Sequence, residues 1–173
     1  MNADSQFGAT WCNVLKVTTA LCFVLCFVLP LVAVNFIPDK VAVVRWLVLV
    51  VPPLILLGCA PFMVRGYALS QDTLTIQRLG WATRFDLAAL TSATLDPDAM
   101  NWGVRLCGIG GLFVFCGWYW NKKLGRFRAF VTDPESSVVL RFGDRAVVVT
   151  PDAPEKFIAE ILSRKRSLQP ALG

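Results

Sequence analysis

The stretch 106–120, LCGIGGLFVFCGWYW, decides how the second half of this chain folds. It admits three structures: a glycine loop that binds phosphate, a third membrane span, or a strand of a water-soluble domain. A dinucleotide-binding loop has GxGxxG between a strand and a helix, and a P-loop ends in Lys followed by Ser or Thr. Gly108, Gly110 and Gly111 form GxGG without such a Lys behind it, so the phosphate-loop interpretation fails.

A membrane span is the second alternative, and the length of the segment argues against it. Residues 106–121 give only 16 uncharged residues, whereas a spanning helix needs roughly 17 to 25, and glycine disfavours a helix. We therefore predict a glycine-bearing turn that leads into a buried strand over 112–120, paired with a strand over 126–132. Glycines there let a strand bend and let another backbone come close.

The first 65 residues differ in composition from the rest, because 13 of the 17 Lys and Arg and 10 of the 12 Asp and Glu lie after residue 66. Residues 17–37 and 46–64 are uncharged runs, each long enough to cross a hydrocarbon core of about 30 Å as a helix. The linker 38–45 is short, so we expect an antiparallel hairpin. Kinks are expected at the prolines within the runs, Pro30, Pro52 and Pro53.

Aromatic and small residues of this hairpin predict its contacts. Trp11, Trp46 and Tyr67 lie near the ends of the runs, where membrane-interface anchors are found. Gly58 and Ala60 are small enough to permit close contact with another membrane helix. The hairpin is therefore expected to pack laterally against other integral membrane subunits.

Charged residues that flank the runs predict the orientation, because the cytoplasmic flanks of membrane helices are enriched in Lys and Arg. The side with both termini carries more of them than the linker: Lys16, Arg65, Arg78 and Arg84 against Lys40 and Arg45. We expect a multi-pass protein of the inner (cytoplasmic) membrane. Both termini and the domain that follows the hairpin are expected in the cytoplasm.

The second half shows strand alternation followed by one helix. Apolar and polar residues alternate in DTLTIQ, TRFDL and SATLD, and RFRAFVT, VVLRF and RAVVV are expected to form a three-stranded antiparallel meander. Asp152 and Glu155 have capping-box spacing. The helix that follows carries one apolar stripe, made of Phe157, Ile158, Ile161 and Leu162. The fold class is therefore α+β: a transmembrane helical hairpin, then an antiparallel β domain closed by a C-terminal helix.

Three segments are similar to the bacterial pleckstrin-homology-like domains, a family often joined to membrane helices: YALSQDTLTIQRLG, RLCGIGGLFVFCGWYWNKKLGRFRAFVTD and VVLRFGDRAVVVTPDAPEKFIAEIL. The resemblance covers about 66–166. It implies a bent antiparallel barrel plugged at one end by the helix, and a binding or scaffolding role without a specified ligand. The expected organisation is a tail over 1–16, the hairpin over 17–65, the domain over 66–166 and a flexible tail over 167–173.

The sequence contains few residues that are suited to catalysis or to binding a metal or cofactor. The chain has no histidine, the side chain that most often transfers protons near neutral pH. The six cysteines lie mostly in or beside apolar runs, so we predict reduced thiols and no metal site. Asp96 and Asp98 are the one close acid pair that we considered for catalysis, and they more often cap a turn. We predict no cofactor, and a binding role for nucleic acid is disfavoured because the basic residues form no dense stripe.

Two groups of residues are candidates for binding. Lys122, Lys123, Arg126 and Arg128 contain KxxxRxR, which resembles the basic pattern by which some pleckstrin-homology domains hold phosphoinositide headgroups. The alternative is a solvated turn near anionic lipid. Trp102 lies in a polar loop and is either core or an aromatic contact for a partner. Trp118 and Trp120 share one face of the predicted strand and are either core or an aromatic patch for a partner, and core is the expected position of Trp118 or Trp120.

The leading hypothesis is a non-catalytic scaffold or accessory subunit that stabilises or organises a larger membrane protein complex, such as an energy-transducing one. One alternative is a module that senses anionic-lipid headgroups. The other is an enzyme that uses acidic residues alone.

Overall fold

Two apolar helices precede a strand-rich domain in the computed structural model, which describes residues 4–168. The helices are Asn13–Phe36 and Ala42–Phe62, and both are long and apolar enough to cross a membrane. Each begins four residues earlier than the uncharged runs predict. Few of their side chains are buried within the chain, so their apolar faces need a cover from outside it.

The prolines affect the two helices differently. The first helix widens into a π-helical turn over Val24–Val28, just before Pro30, and proline removes a backbone donor from a helix. The second helix stays α-helical over Ala42–Cys59, through Pro52 and Pro53. The irregularity predicted at proline is therefore present in the first helix.

The described residues also form ten strands and one further helix of eight or more residues. The strands are β1 Ser5–Gly8, β2 Val64–Leu69, β3 Thr73–Arg78, β4 Ala82–Asp86, β5 Ser92–Leu95, β6 Val104–Leu112, β7 Val114–Asn121, β8 Gly125–Val131, β9 Val138–Phe142 and β10 Arg145–Val149. The C-terminal helix is Pro154–Leu168. Residues 169–173 of the predicted flexible tail lie outside the described part of the chain.

The strands form two sheets and not the closed barrel that we predicted. One sheet has the order β1-β2-β3-β4, and the other has the order β5-β9-β10-β8-β7-β6. The sheets share a core in which Tyr67 and Ile76 of the first face Phe130 and Val147 of the second. The helix stripe is confirmed, because Phe157 and Ile161 are fully buried in this core, while Ile158 and Leu162 pack at its edge.

The predicted three-stranded meander is wrong in one pairing. β9 and β10 form the expected antiparallel hairpin, but β8 pairs with β10, in parallel. The turn Pro134–Ser136 carries the chain from β8 past the position that β10 later fills. Local turn signals predict hairpins between neighbours and do not predict an inserted strand.

The chain before the first helix belongs to the domain and is not the tail that we predicted. β1 pairs antiparallel with β2, and the Asp152 N–H donates to the Gly8 carbonyl at 3.0 Å. The ring of Phe7 lies 5.2 Å from that of Phe157. The domain is therefore completed by residues from both sides of the hairpin.

The glycine stretch is a strand, where we expected a turn. β6 runs through Gly108, Gly110 and Gly111 and pairs with β7, so the predicted strand over 112–120 corresponds to β7 and no third span forms. The predicted close backbone approach is confirmed at Gly108, where an added Cβ would lie 2.2 Å from the Cys116 carbonyl oxygen. The turn between the strands lies at Phe113, with φ 61°.

The β6–β7 turn contacts the first apolar helix. The Phe113 N–H donates to Thr19 Oγ1 at 3.2 Å, and the Phe113 ring lies 6.4 Å from Trp11 and 6.1 Å from Phe23. β2 also begins at this end of the domain, directly after the second helix. We call it the helix end. The opposite end, with Trp102 and the β7–β8 turn, is the far end. β7 separates them by about 24 Å at about 3.4 Å per residue.

Candidate binding sites

The predicted basic cluster is divided between two cavities. Arg126 and Arg128 extend from β8 into the gap between the two sheets, whereas Lys122 and Lys123 lie in the turn at the far end. The four residues therefore do not form one site.

The first cavity has a volume of about 670 Å³ and lies between β4 and the six-stranded sheet. Four arginines from three strands line it, together with Asp86 and Asp144; they are Arg84, Arg126, Arg128 and Arg145. We call it the arginine cleft. The four positive and two negative side chains give its lining a net charge of +2.

The alternation of β7 and β8 explains the cleft. Trp118 pairs with Arg128, and Trp120 pairs with Arg126, so these four side chains lie on the face that the four-stranded sheet covers only in part. The Arg126 guanidinium lies 4.5 Å from the Trp118 ring centroid. Trp118 and Trp120 remain 36% and 44% exposed, so the prediction that they are core is wrong.

Arg78 lies behind the cleft, at the end of β3. Its side chain is only 8% exposed, and its Nε and Nη2 have no hydrogen-bond partner among the described residues. Its guanidinium lies 4.6 Å from the Phe130 ring centroid, and that of Arg128 lies 5.0 Å from the same ring. Burial lowers the pKa of Arg78; the neighbouring Cys116 opposes this and Arg128 adds to it.

The second cavity lies at the far end, with a volume of about 640 Å³. Trp102, Trp120, Lys122 and Lys123 line it with three other polar residues, so the predicted aromatic and lysine candidates meet here. Trp102 is 97% exposed and has the left-handed φ of 55°. Lys123 Nζ lies 2.7 Å from an Asp96 carboxylate oxygen. We call this site the far-end cavity.

The two candidate acids have separate partners. Asp96 pairs with Lys123, and Asp98 Oδ1 accepts a hydrogen bond from Asn101 Nδ2 at 2.8 Å. No group of three or more potential metal ligands occurs in residues 4–168. The six cysteines are free thiols.

Tyr67 is not an interface anchor, because it is buried in the core. Its hydroxyl donates to the Phe130 carbonyl at 2.7 Å and accepts from the Thr150 N–H at 3.1 Å. Burial raises the pKa of Tyr67 to about 12, although the hydrogen bonds with Thr150 oppose the shift. The sequence argument failed because β2 follows the second helix directly, so that a residue close to the apolar run is already inside the domain.

The other hairpin candidates are consistent with surface positions. Trp46 is exposed on the second helix, and Trp11 is half-buried against Phe113. An added Cβ at Gly58 would meet nothing within 4 Å, while Ala60 begins a short turn at the helix end. Sequence reasoning missed Trp81, which is partly exposed at the helix end with its ring 4.9 Å from Phe62.

The matched family agrees with this architecture. A family model described as a bacterial PH domain matches residues 65–165. The chain belongs to the bacterial PH domain family. The match begins within β2 and ends in the C-terminal helix, so the PH domain of the family excludes β1 and both apolar helices. No curated protein and no solved structure matches the chain.

Three functional candidates of this PH domain were missed as site residues: Arg78, Arg84 and Arg145. We had used the first two only as flanking charges of the membrane runs. Each lies on a different strand from Arg126 and Arg128. Their convergence depends on the order of strands in the two sheets, for which the sequence carries no local signal.

Proposed function

We propose that this protein is a non-catalytic accessory subunit that stabilises or organises a larger membrane protein complex. The hairpin anchors it in the inner membrane, with the PH domain and both termini in the cytoplasm. Other integral membrane subunits contact the outer faces of the helices, and one of them also contacts the far-end cavity.

The observation that carries this proposal is the exposure of Trp102. A tryptophan that is 97% exposed, beside the exposed Trp120 in the same cavity, leaves a large apolar area in water. Tryptophan is enriched at protein interfaces and among the residues that dominate their binding energy. Lys122 supplies a positive charge at the rim for a partner of complementary charge, whereas Lys123 is paired with Asp96.

The coupling of the hairpin to the domain supports an organising role. β1 joins the sheet that follows the second helix, and the Phe113 turn contacts the first helix. A partner held at the far end is therefore held at a fixed distance from the membrane helices. Gly58 faces open space, so another helix can approach there closely.

Photo-crosslinking tests the proposal. A photoreactive residue replaces Trp102 in the full-length protein in its native membrane, and crosslinked products are identified by mass spectrometry. The matched control position is Ala159, an exposed residue of the C-terminal helix. We expect one specific membrane subunit at Trp102 and none at Ala159, and loss of its copurification with Trp102→Ala. Migration of the gently solubilised protein as a lone monomer would contradict the proposal.

The two alternative functions have weaker support. Lys122 and Lys123 lie at the far end, away from the first helix, and Lys123 is paired with Asp96. Both observations argue against binding of these lysines to anionic headgroups of the membrane that the hairpin spans. Flotation with anionic liposomes, compared with a Lys122, Lys123 and Arg126 triple alanine variant, tests that function. An enzyme based on Asp96 and Asp98 would need turnover that is lost when either is replaced.

A further inference from the structure

We propose that the arginine cleft binds a soluble compound that carries two or more phosphate charges. This inference goes beyond the accessory role and does not depend on it. It rests on the lining of the cleft, on the buried charge of Arg78 behind it and on the distance of the cleft from the helix end.

The arginines of the cleft have no anionic partner in the part of the chain that the structure describes. Within residues 4–168, the guanidinium groups of Arg84, Arg126, Arg128 and Arg145 make no hydrogen bond or ion pair. Asp86 lines the cleft, but its Oδ1 accepts a hydrogen bond from the Ala88 N–H at 2.8 Å. Like charges confined to one cavity repel each other. A guanidinium group can donate two parallel hydrogen bonds to two oxygens of one phosphate. A phosphorylated ligand would therefore supply the hydrogen-bond acceptors that these arginines lack.

Arg78 strengthens the case for an anion. The residue is only 8% exposed, and two of its guanidinium nitrogens, Nε and Nη2, are buried without a hydrogen-bond partner. Its guanidinium and that of Arg128 both contact the Phe130 ring. A buried cation without a partner is costly. Negative charge in the adjacent cleft would lower this cost through Coulomb attraction. The two positive charges beside Phe130 therefore favour a ligand with more than one negative charge.

The dimensions of the cleft suit a small molecule. Its volume of about 670 Å³ lies within the usual range of ligand cavities, roughly 300 to 1,000 Å³. Phe85, Phe142 and Val147 contribute apolar surface beside the arginines. Charged groups beside an apolar wall are the usual composition of such sites.

The location of the cleft favours a soluble ligand over a headgroup of the host membrane. Trp118 in the cleft lies five residues along β7 from Phe113 at the helix end, which is about 17 Å at 3.4 Å per residue. The headgroup layer on each side of a bilayer is only about 5 to 8 Å thick. The cleft therefore lies beyond the headgroups that surround the hairpin.

Calorimetric titration tests this assignment. The full-length protein in nanodiscs of neutral lipid is titrated with inorganic pyrophosphate at constant ionic strength. We expect saturable binding that Arg126→Gln with Arg128→Gln weakens by about tenfold or more. The matched control is Arg166→Gln, an exposed arginine of the C-terminal helix, which should bind pyrophosphate as the wild type does. Binding that is absent, or equal in all three proteins, would overturn the proposal.

A second arm distinguishes the soluble ligand from a lipid. If anionic nanodiscs abolish pyrophosphate binding by the wild type, headgroups occupy the cleft and the assignment to a soluble compound is wrong. Unchanged pyrophosphate affinity in those nanodiscs supports it.

Stability gives an independent readout that a purely structural role would not produce. Without pyrophosphate, Arg128→Gln should raise the melting temperature, because it relieves repulsion with Arg78. The same variant should lose most of the rise that pyrophosphate causes in the wild type. Arg84→Gln and Arg145→Gln, on two other strands, repeat the measurement if the double variant does not fold. A fall in the melting temperature together with an unchanged pyrophosphate effect would contradict the proposal.

Discussion

Gly108 and Gly117 face each other across β6 and β7 at a separation that leaves no room for a side chain on either. An added Cβ at Gly108 would lie 2.2 Å from the Cys116 carbonyl oxygen, and one at Gly117 would lie 2.1 Å from the Cys107 carbonyl oxygen. Both glycines also have positive φ, 121° and 149°. We expect Gly108→Ala to lower the free energy of unfolding by about 3 kcal/mol or more. Urea unfolding followed by tryptophan fluorescence measures it.

Gly143→Ala separates the effect of positive φ from the effect of the close approach of the strands. Gly143 also has positive φ, 59°, but an added Cβ there meets nothing within 4 Å. Its replacement should cost about 1 to 2 kcal/mol, from the backbone conformation alone. Equal losses at Gly108 and Gly143 would show that the close approach of the strands is not what requires glycine.

Tyr67→Phe should destabilise the PH domain. Its hydroxyl contacts the Phe130 carbonyl and the Thr150 N–H inside the core, and the variant leaves these groups without that partner. The expected loss is about 1 to 3 kcal/mol. Tyr119→Phe is the matched control, because the Tyr119 hydroxyl makes no hydrogen bond within residues 4–168. A Tyr119→Phe loss as large as that of Tyr67→Phe would contradict the argument.

The pKa of Tyr67 makes stability depend on alkaline pH. Because burial raises its pKa in the folded state from 10 to about 12, the stabilisation is fully present below pH 10 and is lost as the pH rises towards 12. Tyr119→Phe leaves Tyr67 as the sole tyrosine of the chain. Tyrosinate absorbance of that variant should therefore rise near pH 12 while it is folded, and near pH 10 after denaturation.

Thr19→Val should weaken the contact between the β6–β7 turn and the first apolar helix. It removes the acceptor of the buried Phe113 N–H with little change in shape, at an expected cost of about 1 to 3 kcal/mol. Hydrogen exchange in detergent micelles should become faster at the turn. Thr18→Val, at the neighbouring position where the side chain faces Gly111, is the control and should leave exchange at Phe113 unchanged.

Glu160→Gln should loosen the attachment of β1 to the C-terminal helix. The Glu160 carboxylate accepts hydrogen bonds from Ser5 Oγ and, at 2.6 Å, from Arg164 Nη2. Burial acts to raise the pKa of Glu160, but these hydrogen bonds and the charge of Arg164 outweigh it, so the pKa is lowered from 4.5. The stabilisation is therefore present above about pH 4.5 and is lost as the pH falls through the folded-state pKa.

Melting temperatures measure this effect. The difference between the wild type and Glu160→Gln should correspond to roughly 1 kcal/mol at pH 7 and should shrink towards zero as the pH falls through the lowered folded-state pKa of Glu160. Glu135→Gln, at an exposed turn position, should differ little from the wild type throughout this pH range. A pH-independent difference for Glu160→Gln would contradict the assigned cause.

Period-two alternation predicted β3, β4 and β5. The strands β8, β9 and β10 were predicted from apolar runs between turn signals, because their middle residues are buried on both faces of the sheet. It could not predict β1, since the four residues of SQFG are too few to show a period. β2 was hidden for another reason: VRGYAL follows the second apolar run without a break. In β6, glycines at positions 108, 110 and 111 interrupt any alternation of polar and apolar side chains. The glycine content therefore suggested a turn.

The binding sites were predictable only in part. The sequence identified Arg126, Arg128 and Trp102, because charged or aromatic residues in polar segments are visible locally. Arg84 and Arg145 join the cleft because β4 and β10 approach β8 in space, and the pairing of β10 with β8 is parallel. The gap between the two sheets that forms the arginine cleft depends on the order of the strands, which the sequence alone did not predict.

The pairing of β1 with β2 constrains how the protein is made. The first strand leaves the ribosome before either apolar helix, but its partner emerges only after both. When the helices insert into a bilayer, β1 must wait on the side where β2 later arrives, and a chain that retains only one inserted helix would separate them. Completion of the first sheet therefore reports that biogenesis of the hairpin has finished.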